Sequence, residues 1–227
     1  MFKIYKIITL FFFVTFTISS HAHVQHYENL NSIEFYIYRN NKHIGTHIFS
    51  FKKSGDEIAV RSEIKFEIKK FGVVLYKYYA EGVEIYKDDK LIKFNSNTNQ
   101  NGKSKYVNMK LLDDMYIIDG SSYKGKAPVD YLLGTWWNHS IVEAAAQISA
   151  VSGRIINQKV TFLGKEKIKI NGEIFKTLHF NFSSTEKKLK KNKKLNTDVW
   201  YDEKTLNWVK ASFDKKGKWE YRLLSLD

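Results

Sequence analysis

The sequence of 227 residues contains no cysteine. That excludes disulfides, thiolate metal ligands, a cysteine nucleophile and thiol redox chemistry together. There is a single proline, Pro128, and no Pro- or Gly-rich stretch that would serve as a linker. Arginine is scarce too: among 37 basic residues only Arg39, Arg61, Arg154 and Arg222 are Arg. Specific nucleic-acid recognition leans on the forked guanidinium, so the formal charge of +13 does not describe a nucleic-acid reader. Lys, Ile and Asn all have AT-rich codons, and genome composition accounts for much of the lysine excess.

Catalytic patterns are missing as well. The sequence has no G-x-S-x-G elbow and no H-E-x-x-H pair. His43 and His47 read as neighbours on one strand face, about 13 Å apart, which is too far to share a metal. Asp130, His139 and Ser140 bracket a Trp pair, but proximity in sequence does not make a triad. Glu81 and Glu84 read as ordinary edge residues, and Asp113 and Asp114 as a turn. An N-terminal copper chelate at His23, or at His21-Ala22-His23, would depend on a cut that exposes it. The expectation is therefore no catalytic residue, no metal and no cofactor.

What is present begins with an address. Lys3 and Lys6 precede an apolar run from Ile7 to Ile18, and Ser20-His21-Ala22 follows with small residues at both ends. As a helix the run would reach about 18 Å, short of the roughly 30 Å hydrocarbon core. This pattern predicts a cleavable secretory signal over 1–22, cut after Ala22 in preference to Ser20, and a periplasmic or secreted protein. The remaining residues, 23–227, are expected to form one β-rich domain.

Period-two alternation dominates that domain. In Glu57–Lys69, Ile58, Val60, Ser62, Ile64, Phe66 and Ile68 face one way and charged residues the other. This is a long antiparallel strand with one dry face. Similar runs recur between Asn40-Asn41, Asp88-Asp89, Asn101-Gly102, Asp113-Asp114 and Asn171-Gly172, which are hairpin turn pairs. One helix is expected, opened by the capping box Ser140–Glu143, with Ile141, Ala144, Ala145 and Ile148 as its apolar face and Gly153 as its stop. A single short helix cannot cover so many strands, so the sheet should curl over it as a half-barrel, with Gly82 as a kink.

Curling leaves a groove lined by the dry face. The residues expected to line it are Ile58, Val60, Ile64, Phe66, Tyr76, Tyr78, Trp200 and the pair Trp136-Trp137, one Trp anchoring a loop and the other nearer the mouth. The run Lys187, Lys188, Lys190, Lys191, Lys193 and Lys194 reads first as a solvated loop, and second as a contact for anionic headgroups.

Several motifs fall in one order: Tyr36-Ile-Tyr-Arg39 with Gly45-Thr-His47, Tyr76-Lys-Tyr78, Asn95–Asn99 with Asn101-Gly102, Thr135-Trp-Trp-Asn138, Leu163-Gly164 and Asp198-Val-Trp-Tyr-Asp202. They resemble an uncharacterised exported bacterial family, domain of unknown function 6134, from about Ser32 to Leu224. Two departures stand out: His139 where the family has Pro, and the lysine run where it has a short connection. More distantly the layout is similar to the curled sheets of periplasmic lipoprotein carriers. That resemblance implies an acyl chain or lipid in a half-barrel. The alternative reading is an envelope interaction module with a filled core and no ligand.

Overall fold

The computed structural model describes Tyr27 and residues 29–189 and 193–227. The expected leader, the N-terminal histidines, Lys190 and Lys191 lie outside the described residues.

Strands β1 (Ser32–Arg39), β2 (Lys42–Ser54), β3 (Glu57–Lys70), β4 (Val73–Lys87), β5 (Lys90–Gln100), β6 (Lys103–Leu112), β7 (Met115–Gly120) and β8 (Lys124–Pro128) run as an antiparallel meander. The chain then makes an excursion through β9 (Leu132–Leu133), a 3-10 turn (His139–Val142) and β10 (Ala146–Ile148). It returns as a second meander: β11 (Ile155–Ile170), β12 (Glu173–Ser184), β13 (Asn196–Asp202), β14 (Trp208–Asp214) and β15 (Lys218–Leu226). β15 pairs with β1, so both meanders fuse into one sheet whose edges are β8 and β9.

All five turn pairs named from the sequence have both residues at positive φ. This is the backbone of a two-residue hairpin whose twist matches its strands. The alternation also holds. Ile58 and Val60 are buried, and Ile64, Phe66 and Ile68 lie half-buried on the same face.

Curling follows from one connection. The two sheet edges, β8 and β9, are consecutive in sequence and joined by residues 129–131. Four peptide steps reach at most about 14 Å, so the edges must come close together. They do not pair, and the sheet stays open as a half-barrel. Residues 149–154, which follow β10, tie this side of the sheet to the first meander. Ser122 N donates to Ser152 O at 2.9 Å, and Ser96 Oγ to Ala150 O at 2.6 Å.

Three local expectations are corrected. The helix after Ser140 is a four-residue 3-10 turn, and Asn138, not Ser140, caps it by accepting from Ser140 N. The reason lies 17 residues downstream. Gln158 Nε2 donates to the carbonyls of Ile141 and Ala144, and Gln158 N to that of Ala145, which draws this segment onto β11 and away from a helical ladder. Gln147 and Ile148 instead pair with β9 and β11.

Gly82 is not a kink, because both ladders run through it unbroken. A Cβ there would stand 3.1 Å from the Phe94 ring, so the residue serves close packing. His43 and His47 do not share a face. A bulge at Ile44 turns His43 outward against Tyr36 and leaves His47 inward against Phe49.

Candidate functional site

The interior is filled unevenly. Near the β8–β9 connection the dry faces meet around Trp137, which is fully buried. Its ring is packed edge-on by Tyr27, Phe51 and Tyr86 at 5.1–5.6 Å. Its Nε1 donates to Glu84 at 3.1 Å, and Tyr86 OH donates to the same carboxyl at 2.6 Å. Burial raises the Glu84 pKa to about 7 against the pull of those hydrogen bonds. Glu84 is therefore not the edge residue its sequence suggests. It shares the inward parity of Ala80, Gly82 and Tyr86, and that parity was the available signal.

Toward the other end the strands diverge and leave a cleft of about 540 Å³. Cross-strand pairing builds its aromatic walls. Phe66 faces Tyr78, and their rings stack at 4.7 Å and 7°. Phe213 faces Trp219, and their rings stack at 5.9 Å and 8°. The edge of Trp219 meets Phe66 at 5.2 Å, which joins the two walls. Ile68 and Tyr76, another facing pair, extend the wall outward. Burial pushes the Tyr78 hydroxyl up to about 12, so it stays neutral. Arg39, Lys215 and Lys216 stand on the rim, and no carboxylate is found among the described residues lining this cleft.

Beneath Tyr78, Val151 and Tyr221 the cleft adjoins an inner cavity of about 270 Å³. Ile64, Ser96 and Gln147 line it. The excursion enters here closely: a Cβ on Gly134 would lie 2.6 Å from Gln147 Oε1. Trp136 follows at φ +60°, an unusual conformation for a bulky residue, held by Tyr201 OH donating to its carbonyl at 3.0 Å. Its half-buried ring lies edge-on to Trp208 and Tyr221, and its Nε1 has no hydrogen-bond partner among the described residues. His47 also borders the cavity, and neither of its ring nitrogens has a hydrogen-bond partner among the described residues. Burial lowers its pKa to about 3, so the imidazole is neutral.

The expected groove residues therefore divide. Phe66, Tyr76 and Tyr78 line the cleft, and Ile64 and Trp136 line the inner cavity. Ile58, Val60 and Trp137 belong to the solid core and line neither space. They sit on the filled half of the same strands, and alternation cannot report depth along a strand. Trp200 is on the convex face, because Val199 and Tyr201 take the inward positions. It stacks on His179 at 4.1 Å, lies under Lys210, and donates to Glu166. Lys187, Lys188, Lys193 and Lys194 are exposed on the β12–β13 connection, and Arg154 donates to Lys193 O at 3.1 Å. Phe213, Trp219 and Tyr221 are not among the residues expected to line the groove, and His47 is weighed in the sequence only as a metal ligand, although the alternation of β14, β15 and β2 turns all four inward.

Fold and cleft together define a curled, open antiparallel β-sheet protein with an aromatic-walled interior. The chain belongs to the DUF6134 family, a domain of unknown function, whose pattern matches residues 35–224. Among solved structures it is similar to the β-barrel-like DUF1849 protein from Brucella abortus. That alignment has a TM-score of 0.61 and 10% identity, and covers 87% of this chain and 97% of that one. The likeness is one of fold. A DUF1329 family protein from Desulfovibrio piger aligns over 90% of this chain and 89% of its own at 10% identity. Its TM-score of 0.27 is too low to speak for the fold. No curated protein matches the chain.

Proposed function

We propose that this protein is a non-catalytic binder of an apolar envelope molecule, a lipid or acyl chain, held in the cleft between the β3–β4 and β14–β15 walls. The observation that carries this reading is the contrast between the two halves of the interior. The dry face packs closely around Trp137, with a smaller space of about 300 Å³ beside the β8–β9 connection, and it opens around Phe66, Tyr78 and Trp219 into a space of about 540 Å³. Pockets for small molecules are typically about 300–1,000 Å³, apolar, with a few polar groups that fix orientation. His47 and the Trp136 indole are such groups, buried with no hydrogen-bond partner among the described residues. The leader-like residues 1–22 support a periplasmic or secreted location. The lysine run Lys187–Lys194 supports attraction to an anionic surface, worth about 1 kcal/mol per lysine near a membrane.

The test is native mass spectrometry of the purified protein, followed by titration with a fluorescent fatty acid. A co-purifying lipid, or saturable binding weakened by Phe66→Ala, is the expected result. Repeated recovery of ligand-free protein that no lipid stabilises would overturn the reading in favour of an interaction module.

A further inference from the structure

Beyond Lys77, whose carbonyl accepts from Asn101 N at 2.8 Å, residues 67–76 continue outside the sheet as a two-stranded ribbon. β2 pairs with β3 only as far as Phe66, and β5 with β4 only as far as Tyr78. β3 and β4 continue to pair with each other out to Lys70 and Val73. The ribbon turns on Phe71 and Gly72, both at positive φ. The five turn pairs named from the sequence put Asn or Asp first, as that backbone favours, so local conformation does not ask for an aromatic at this position.

The Phe71 side chain is 93% exposed, and Val73, Val74 and Leu75 are 62%, 45% and 55% exposed. A register slip at Ile68/Lys69 leaves Leu75 without a facing partner. Four exposed apolar residues in a five-residue stretch, at the tip of a protruding hairpin, mark an interaction surface.

The charges beside the tip say what kind of surface it meets. Lys69 and Lys77 both reach Glu67, at 3.0 and 3.4 Å. Lys70 lies over the Phe71 ring at 5.4 Å, with no carboxylate partner among the described residues. The ribbon leaves the rim of the cleft, and a side opening of about 720 Å³ separates its base from Lys42 and His43. Among the described residues lining that opening and the cleft, Glu67 is the one acid, set against Arg39, Lys42, Lys215, Lys216 and the ribbon's own lysines.

We propose that the β3–β4 ribbon is a membrane-docking arm that sets the cleft mouth against an anionic phospholipid bilayer. Phe71, Val73, Val74 and Leu75 enter the boundary between headgroups and acyl chains, where apolar area is buried without spanning the membrane. The surrounding lysines stay at headgroup level, their stems along the apolar surface and their ammonium groups on lipid phosphates. Docking does not depend on what the cleft holds, so this assignment and the ligand reading can fail separately.

The test is co-sedimentation of the purified protein with vesicles of phosphatidylcholine alone and with phosphatidylglycerol added. The protein should pellet with the anionic vesicles, and Phe71→Ser/Leu75→Ser should weaken partitioning about tenfold or more at unchanged melting temperature. Phe71→Ser alone serves if the pair lowers the melting temperature. Replacing Lys187, Lys188, Lys193 and Lys194 by Ala should cost less than the ribbon variant. Equal pelleting of the ribbon variant and the unaltered protein overturns the assignment, as does failure of the unaltered protein to pellet with either vesicle. A dimer in solution that the ribbon variant dissociates, without vesicle binding, gives the tip to a second copy and also overturns it.

Discussion

Glu84 and His47 make opposite demands on the pH dependence of stability. The Glu84 pKa is raised from 4.5 to about 7, so the folded chain keeps a proton that the unfolded chain releases. Its stabilisation is fully present below about pH 4.5 and is lost as pH rises to about 7. The His47 pKa falls from 6.5 to about 3, so its stabilisation is present above about pH 6.5 and is lost on acidification. Between about pH 4.5 and 6.5 the two slopes oppose each other, each about 1.4 kcal/mol per pH unit. Urea melts across that range should show Glu84→Gln losing stability on acidification and His47→Leu gaining it, with the unaltered protein flatter than either. Parallel slopes in all three would mean that neither group is buried as described. The Trp pair separates in the same way. Trp137→Ala should cost roughly 3–5 kcal/mol. Trp136→Ala should cost much less while weakening fatty-acid binding, read from a thermal melt and a fluorescence titration of each variant.

The excursion from β8 to β11 is the element that the sequence misrepresents. Its capping box and its i, i+3, i+4 apolar spacing are real helical signals, yet local propensity is weak against tertiary hydrogen bonding. Gln158 decides the matter by taking two carbonyls at 3.1 and 2.8 Å while its Oε1 accepts from Gln147 Nε2 at 2.6 Å. Gln158→Leu would leave the Ala144 carbonyl and Gln147 Nε2 unpaired in a buried site and should cost about 3 kcal/mol in denaturant unfolding. A cost under about 1 kcal/mol would mean that water enters and replaces the amide. The strands themselves were open to reading from alternation and turn pairs, because both are local properties of the chain. The placement of Trp200 was not, since the apolar run Val199-Trp200-Tyr201 fits either parity until a neighbouring strand fixes it.

For the molecule as a whole, the short connection between two sheet edges turns a flat meander into a half-barrel whose wider end is the aromatic-walled cleft. A ligand in that end binds only the folded protein and therefore stabilises it. A hundredfold excess over the dissociation constant adds about 2.7 kcal/mol. Phe66→Ala and Trp219→Ala should each lower the ligand-induced rise in melting temperature, whereas Trp200→Ala, on the convex face, should leave that rise intact. A loss of the rise with Trp200→Ala would move the binding site out of the cleft.

Strand phase, turn positions and the existence of one dry face follow from residue alternation and from Asn, Asp and Gly pairs, which act within a few residues. Depth was settled elsewhere. Ile58 and Phe66 have the same parity on the same strand, yet one is in the solid core and the other lines the cleft, because the excursion fills only one half of the interior. The burial of Glu84, the lost helix and the uneven filling all come from contacts between segments distant in sequence, and those form only once the sheet has closed around its own connecting chain.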